Sequence, residues 1–301
     1  AAMSEPIVEV QNLTHHFKLT KKVSIKALDH VSFSIQKGEI FGLVGESGSG
    51  KSTAARCIMN IYKPSEGAIY FEGINTTDTA EARKHKSLLQ TQRQIIFQDS
   101  ASSLNQRMTV AEIIAEPMKI NHVKPPRGSY RAEAAFQLSY VGLDESYLDK
   151  YPSEMSGGQR QRVAIARALS MEPDLLVADE PIASLDVSIQ AQIVNLFKHL
   201  QQEHGFSILF IAHDLAMVEY LCDRIGVMYR GCLVELAETE ELFRNPLHPY
   251  TRMLLSAIPY PDPIRERNRP KLNTEELHFE TEGQFTEVLP GHYVLQKEAA
   301  I

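Results

Sequence analysis

Residues 45–53 read Gly-Glu-Ser-Gly-Ser-Gly-Lys-Ser-Thr. The spacing fits the phosphate-binding loop Gly-x-x-x-x-Gly-Lys-Ser/Thr, with four residues in register: Gly45, Gly50, Lys51 and Ser52. A short apolar run at 39–44 precedes the loop, and a run that suits a helix follows it at 54–59. In a strand, glycine turn and helix of this order, backbone N–H groups and the helix dipole face a polyphosphate. The stretch predicts a nucleotide-binding loop; an ordinary turn of glycine and serine is the alternative.

Two side chains of this loop carry specific chemistry. Lys51 would reach the β- and γ-phosphates of a nucleotide, and the Ser52 hydroxyl would be a ligand of Mg²⁺.

Composition sets the broad class of the protein. The chain has 301 residues, which allow one large α/β domain with a smaller attachment. The net charge of −7 gives no overall reason to expect nucleic-acid binding, although a local basic patch remains compatible with it. No apolar run approaches the roughly 18–20 residues of a membrane span. The three cysteines, Cys57, Cys222 and Cys232, form no C-x-x-C pair, so we expect neither a disulfide framework nor a metal cluster.

The first part of the chain predicts a small antiparallel sheet. Residues 7–13 and 31–35 alternate apolar and polar side chains, as half-buried strands do, and 68–71 read as a third strand. Phe17 lies between these strands and, on this pattern alone, fits a core residue of the same sheet.

The middle of the chain predicts an inserted helical subdomain at about 100–170. A strand at 94–99 ends in polar Gln98 and Asp99 before this region begins. Further on, Ser156-Gly157-Gly158-Gln159 opens a long helix, which Ser156 is placed to cap. This would be a second helix start suited to an anion.

Two later strands end in polar residues. The run 175–180 closes on Asp179 and Glu180, as a core parallel strand does when its carboxyl edge faces a ligand. Asp179 would hold Mg²⁺ through water, and Glu180 would polarise an attacking water; a pair of exposed turn acids is the alternative. The run 207–214 is likewise an apolar stretch followed by a polar residue, here His213, although a single histidine is more often structural than catalytic.

These motifs together resemble an ABC transporter ATPase. The phosphate loop, Gln98, Ser156–Gln159, Asp179-Glu180, Leu185-Asp186 and His213 follow in the order and spacing of that family, over about residues 7–240. The resemblance implies a phosphate-loop NTPase core with a mainly parallel sheet, a small antiparallel β subdomain, the helical insertion and a C-terminal extension. We place the nucleotide-binding domain at 5–245 and the extension at 246–301, with a hairpin at 224–235 and a charged tail that is partly ordered at best.

The resemblance also assigns roles to individual residues. Two ATPase subunits would sandwich each ATP between the phosphate loop of one and Ser156–Gln159 of the other. Phe17 would stack on adenine, Asp186 would lie on the loop that crosses the dimer, and Gln98, Glu180 and His213 would be the catalytic group. ATP contacts are expected at Phe17, Gly45, Glu46, Ser47, Gly48, Ser49, Gly50, Lys51, Ser52, Thr53, Ser156, Gly157, Gly158, Gln159 and Asp186. Mg²⁺ ligands are expected at Ser52, Gln98 and Asp179.

A closer resemblance is to an ATP-binding subunit of an oligopeptide permease, the second ATPase of such an importer. It rests on residues 96–105, 185–192, 248–251 and 258–263. It implies a homologous partner ATPase in a hetero-dimer, two membrane-spanning permease subunits, an extracytoplasmic peptide-binding protein and no nucleic acid. The chain would lie peripherally on the cytoplasmic face of the plasma membrane.

Two departures from the family pattern stand out. Ala183-Ser184 replaces the usual Ser-Ala order, and no cysteine follows Cys232, so we expect no iron–sulfur cluster. The alternatives are an ATPase of a dipeptide, glutathione or nickel importer, a soluble ABC ATPase acting on DNA or ribosomes, and a non-hydrolysing regulatory module. Intact Glu180 and His213 argue against the last class, and the lack of a tandem domain or basic insertion argues against the second.

The segment after Gln98 is expected to connect ATP binding to transport. It has more apolar residues than an exposed loop needs, and we predict that a subset forms a groove for a short cytoplasmic helix of each membrane subunit. The candidates are Leu104, Met108, Val110, Ile113, Ile114 and Met118. The alternative is that they only pack the helical subdomain.

Overall fold

The structure is a computed structural model that describes residues 5–18, 20, 23–98, 103–257, 279 and 281–297. Its strands are β1 (Pro6–Lys18), β2 (Ser24–Gln36), β3 (Ile40–Val44), β4 (Glu66–Phe71), β5 (Ile74–Asn75), β6 (Arg93–Ile96), β7 (Leu175–Asp179), β8 (Ser207–Ala212), β9 (Arg224–Tyr229), β10 (Cys232–Glu238), β11 (Gln284–Leu289) and β12 (His292–Gln296). Its helices are α1 (Lys51–Ile58), α2 (Thr79–Lys84), α3 (Lys86–Thr91), α4 (Val110–Ile120), α5 (Tyr130–Tyr140), α6 (Gly157–Leu169), α7 (Val187–His204), α8 (Leu215–Leu221), α9 (Thr239–Arg244) and α10 (Pro249–Ser256).

The larger sheet places the phosphate loop near its centre. Its strand order is β11-β12-β10-β9-β3-β8-β7-β6. Strand β3 runs parallel to its neighbours β8 and β9, and β8, β7 and β6 continue the parallel arrangement. Strands β3, β7 and β8 are buried along their whole length, which explains their continuous apolar sequences. Their carboxyl ends therefore meet at one edge of the sheet.

The smaller sheet is antiparallel, as the alternating sequences predict, with the order β2-β1-β4-β5. In β2, buried Val31, Phe33 and Ile35 alternate with partly exposed serines, so one face of the strand turns to the core. The ring of Phe33 stacks on Phe41 of β3 at a centroid distance of 5.2 Å. This contact joins the small sheet to the strand that leads into the phosphate loop. The α/β class with a separate antiparallel sheet is thus confirmed.

Helices α4, α5 and α6 form the predicted helical region. Each begins at a hydroxyl residue, Thr109, Ser129 or Ser156, whose oxygen accepts a hydrogen bond from a backbone N–H of the first turn. Such caps satisfy donors that a helix start leaves without intrahelical partners. Thr109 and Ser156 also take part in reciprocal capping boxes with Glu112 and Gln159.

Most of the candidate apolar residues of 104–118 pack inside the helical region. Leu104, Val110, Ile113, Ile114 and Met118 are at most 2% exposed, and most of them belong to the core that α4 shares with α5 and α6. Met108 is partly exposed. These five side chains therefore pack the helical region, as the alternative interpretation has it, and the prediction that a subset of the candidates forms a groove for a membrane subunit stays a prediction, with Met108 the partly exposed candidate.

The described part of the C-terminal region folds onto the core. Strands β11 and β12 form a hairpin, and β12 extends the large sheet by pairing with β10 through Glu235–Val294 and Leu236–Tyr293. The sequence analysis did not predict this hairpin, because the tail as a whole is charged and only weakly periodic, although β11 contains a single charged residue and β12 contains none. The hairpin of β9 and β10, turned at Arg230-Gly231, is as predicted. Residues 99–102 and 258–263, which contribute to the resemblance, lie outside the described residues.

No helix in the described ranges combines the length and the apolar character that crossing a membrane requires.

Candidate functional site

The phosphate loop lies between the carboxyl end of β3 and the start of α1. Gly45 and Gly50 have φ angles of 147° and 106°, and a Cβ atom on them would lie 2.2 Å from the carbonyl oxygen of Met228 and 2.6 Å from that of Ala27. Only glycine fits such close approaches at these angles. Gly50 is the N-cap of α1 and offers no side-chain acceptor, which leaves the first N–H groups of the helix available to an anion.

The loop exposes its tip and buries its base. Glu46, Ser47 and Gly48 are exposed, whereas Ser49 is buried. The Lys51 side chain is also buried, and its Nζ donates hydrogen bonds to the carbonyl oxygens of Gly45 and Glu46, both at 2.8 Å. Burial lowers the pKa of Lys51, against the opposing attraction of Glu180, Asp179 and Glu46. Its ammonium is thus held inside the loop, beside the place where phosphates would bind.

The Ser52 hydroxyl donates a 2.7 Å hydrogen bond to Oδ1 of Asp179, the last residue of β7. Asp179 is fully buried, and its Oδ2 has no hydrogen-bond partner among the described residues. A buried carboxylate oxygen without a partner is costly. Hydroxyl and carboxylate oxygens are the hard ligands that Mg²⁺ prefers. The donor set and the unpartnered oxygen therefore fit a Mg²⁺ ion at this point.

Glu180, just beyond the end of β7, contacts residues at the ends of the neighbouring parallel strands β6 and β8. It follows β7 with a φ of 47°, and its backbone N–H donates to the carbonyl oxygen of Ile211 in β8. Gln98, beyond β6, donates from Nε2 to Glu180 Oε2 at 3.0 Å. His213, directly after β8, places Nδ1 3.8 Å from the same oxygen. The Glu180 side chain is 14% exposed and that of His213 is 59% exposed, so the carboxylate is sheltered beneath a more open imidazole.

The Ser156–Gln159 stretch lies at the start of α6, where it serves its own helix. Ser156 and Gln159 form the capping box, and Gln159 Nε2 donates to the Tyr147 hydroxyl at 2.9 Å. A Cβ on Gly158 would lie 2.7 Å from the Ile189 side chain of α7, so glycine allows the close approach of these helices. None of the hydrogen bonds described for this stretch reaches residues 45–53.

Asp186 lies at the start of α7 and is exposed. Its backbone carbonyl accepts hydrogen bonds from the N–H groups of Ile189 and Gln190, while its side chain makes no capping bond in the described structure. The next residue, Val187, is 75% exposed. An exposed carboxylate and an exposed apolar side chain therefore stand together at this helix start.

Phe17 lies near the end of β1, partly exposed and in an aromatic group. Its ring makes edge contacts with His15 at a centroid distance of 4.7 Å and with Tyr62 at 5.4 Å. His15 and Tyr62 stack on each other at 5.6 Å. The sequence reasoning did not single out Tyr62, which follows α1 in the chain and reaches Phe17 only in the fold.

A second contact that sequence reasoning missed comes from the C-terminal region. The hydroxyl of Tyr250, in α10, accepts a hydrogen bond from the backbone N–H of Glu46 in the phosphate loop at 3.0 Å. Its stretch, His248-Pro249-Tyr250-Thr251, contributes to the resemblance, but no sequence pattern indicates which element it touches.

Comparison with known proteins identifies relatives of this chain. The family model described as "ABC transporter" matches residues 28–183, and the one described as "Oligopeptide/dipeptide transporter, C-terminal region" matches 234–283. The oligopeptide transport ATP-binding protein OppF of Bacillus subtilis is 50% identical over 99% of this chain and 98% of its own length. The dipeptide transport ATP-binding protein DppF of Lactococcus lactis is 46% identical over 99% of this chain and 96% of its own.

Comparison with solved structures also finds an ATP-binding cassette. A dimeric ATP-binding cassette in a post-hydrolysis state, bound to ADP and Pi, superposes with a TM-score of 0.69 at 30% identity. The match covers 77% of this chain and 98% of that cassette. Since a family model matches more than half of the chain and full-length relatives share about half of its residues, the chain belongs to the ABC transporter family of ATP-binding proteins.

Proposed function

We propose that this chain binds and hydrolyses ATP to energise an ABC importer of oligopeptides. The observation that supports hydrolysis is the convergence of Ser52, Asp179, Glu180, Gln98 and His213 at the carboxyl edge of one sheet. The oligopeptide cargo is supported by the C-terminal match and by relatives named as oligopeptide transport ATP-binding proteins.

The phosphates of ATP would bind to backbone N–H groups at the end of the loop and the start of α1, since the N–H of Glu46 already donates to Tyr250. Lys51 exchanges the carbonyl oxygens of Gly45 and Glu46 for oxygens of the β- and γ-phosphates, an exchange that brings opposite charges together. Phe17 offers its ring to the adenine base, with Tyr62 supporting it from the side. Ring stacking of this kind needs no particular pattern of donors on the base.

Ser52 and Asp179 are the residues that would hold Mg²⁺, Asp179 through water, with Gln98 as the third ligand. When bound, the ion neutralises phosphate charge and fixes the orientation of the phosphate chain. Glu180 accepts a hydrogen bond from the attacking water and polarises it, and its contact with Gln98 keeps the carboxylate aimed at the phosphate edge. His213 donates to the γ-phosphate from its exposed position beside Glu180.

A second ATPase subunit completes the site. Ser156–Gln159 and Asp186 lie at the starts of α6 and α7, and none of their described hydrogen bonds reaches the phosphate loop of the same chain. We infer that they face the phosphate loop of a partner ATPase, so that each ATP lies between two chains. The dimeric cassette bound to ADP and Pi supports this arrangement.

Two membrane-spanning subunits and an extracytoplasmic peptide-binding protein would complete the importer, with this chain peripheral on the cytoplasmic face of the membrane. The surface we propose for the membrane subunits is a groove of about 550 Å³ between the large sheet and the helical region. It is lined in part by Leu89, Phe97, Glu116, Ile120 and Arg167. Ile120 is 67% exposed there and offers an apolar contact to a docked helix.

We propose that residues 5–245 form the nucleotide-binding domain, with the helical subdomain at about 100–170, and that 246–301 form the extension. The groove lies where that subdomain meets the large sheet, beside β6, the strand that leads to Gln98. Closure of the two ATPases around ATP would move the docked helix as a rigid lever.

Replacing Glu180 with glutamine tests the catalytic assignment. The amide keeps the shape of the side chain and loses the charge that polarises water, so single-turnover hydrolysis should fall about 10²–10⁴-fold while ATP still binds. Glu219→Gln, on the exposed face of α8, is the matched control and should hydrolyse ATP normally. Hydrolysis by Glu180→Gln at the wild-type rate contradicts the assignment.

Phe17→Ala tests the adenine contact. ATP binding should weaken by about 1–3 kcal/mol, the worth of one base-stacking contact, while the ratio of ATP to GTP affinity stays nearly constant. Phe17→Tyr keeps the ring and should bind ATP as the unchanged chain does. Equal nucleotide affinity for Phe17→Ala in a titration would make Phe17 a packing residue of the small sheet.

The shared site predicts slow ATP hydrolysis by the isolated chain. Mixing the chain with its partner ATPase and the membrane subunits should raise the rate, because each site needs residues of two chains. The measurement is specific activity over a dilution series. A full rate that does not change with concentration would show that one chain is sufficient.

The groove is tested by Ile120→Asp in an assembled transporter. Peptide uptake should fall at least tenfold, since burying an unpaired carboxylate against an apolar helix is strongly unfavourable. ATP affinity and the folding of the isolated chain should persist.

Leu289→Asp, at a 44% exposed residue of β11, is the control for an added surface charge. Normal uptake with Ile120→Asp would move the coupling surface elsewhere. Ile113 is unsuitable for this test, because a charge there would lie in the core.

A further inference from the structure

Tyr250 is fully buried at the start of α10, yet its hydroxyl reaches the phosphate loop. The hydroxyl oxygen accepts the hydrogen bond from the backbone N–H of Glu46 at 3.0 Å. Burial raises the pKa of Tyr250 to about 12, so the hydroxyl is neutral at physiological pH. Glu46 follows Gly45 directly, and the bond therefore falls on the first turn of the loop.

The peptide that joins Gly45 to Glu46 is held from both sides. Its carbonyl oxygen, on Gly45, accepts from Lys51 Nζ at 2.8 Å, and its N–H, on Glu46, donates to Tyr250. In a trans peptide these two groups point in opposite directions. When Lys51 turns to a phosphate, the bond to Tyr250 is the one that keeps the orientation of this peptide.

Tyr250 itself is held by a buried network. Its backbone N–H donates to Nδ1 of His248, the N-cap of α10. The N–H groups of Leu247 and His248 donate to the two carboxylate oxygens of Glu235 at 2.7 and 2.9 Å. Glu235 is fully buried in β10, so this carboxylate fixes the chain where it leaves the large sheet and enters α10.

The same carboxylate joins the C-terminal hairpin to the network. Oε1 of Glu235 lies 2.8 Å from Nε2 of His292, a fully buried residue at the start of β12. The rings of Tyr229 and Phe279 contact the Tyr250 ring at centroid distances of 4.4 and 5.4 Å. The hydroxyl of Tyr250 is therefore placed by rigid surroundings.

We propose that Tyr250 is a positioning residue of the nucleotide site, through which the C-terminal region holds the first turn of the phosphate loop in the shape that binds ATP. This inference rests on the proposed ATPase function and deepens it. Without the hydroxyl, the Gly45–Glu46 peptide rotates to find another acceptor, and the loop spends part of its time in a shape that does not bind. The apparent affinity for ATP then falls in proportion to the fraction of molecules whose loop still has the binding shape. Tyr250 touches no reacting atom, so the rate at saturating ATP is unaffected.

Tyr250→Phe tests the proposal, because it removes one oxygen and keeps the ring. Using the full chain assembled with its partner ATPase, we expect KM for ATP to rise by about tenfold, in line with the loss of one hydrogen bond to a buried group, with kcat unchanged. ATP titration of the full chain alone should show the same loss of affinity. Tyr229→Phe is the matched control: Tyr229 is buried beside Tyr250, and its hydroxyl makes no hydrogen bond in the described part of the chain. It should leave KM unchanged.

Thermal unfolding of both variants without nucleotide separates positioning from stability. An unchanged KM for Tyr250→Phe overturns the inference. A lower kcat and a lower Tm with an unchanged KM also overturn it, since that result describes a residue that only packs. Failure of the wild-type assembly to bind and hydrolyse ATP would instead refute the proposed function, and the inference with it.

Discussion

The close approach of the phosphate loop to two strands is the constraint on which the rest of the site depends. The loop touches the backbone of β9 at Gly45 and that of β2 at Gly50, and the carbonyl of Ser49 accepts from the N–H of Gly231 in the turn after β9. No side chain fits at the two glycine positions. The loop therefore lies where the parallel part of the large sheet meets the small antiparallel sheet, and the N–H groups at the start of α1 remain available to an anion.

The parallel strands of the large sheet carry the polar side chains around that loop. Because the carboxyl ends of parallel strands meet at one edge, residues far apart in the chain converge there: Ser52 on Asp179, and Gln98 and His213 on Glu180. The apolar strands beneath them are fully buried, which holds these polar side chains on a rigid base. The unpartnered oxygen of Asp179 and the inward-turned ammonium of Lys51 are groups that a bound nucleotide with Mg²⁺ would satisfy.

The C-terminal region is integrated with the core rather than merely attached to it. One carboxylate, Glu235, accepts hydrogen bonds from the chain entering α10 and contacts His292 of the terminal hairpin. Removing the Glu235 carboxyl would leave the N–H groups of Leu247 and His248 without this acceptor, which is unfavourable for buried groups. Tyr250 carries this rigid arrangement to the phosphate loop. A domain boundary at residue 245 therefore marks a change in the sequence pattern, although the residues on its two sides pack together.

The sequence alone predicts the fold class, the phosphate loop, the strands that lead to Asp179 and His213, and the cap at Ser156, because each depends on short-range spacing or on a continuous apolar run. It did not determine which apolar residues of 104–118 remain exposed, since burial there depends on α5 and α6 packing against α4. The hairpin of β11 and β12 was also missed, because its short strands are stabilised by pairing with each other and, through β12, with β10. The contacts of Phe17 with Tyr62 and of Tyr250 with Glu46 were likewise decided only by the tertiary structure, because they join residues that are distant along the chain.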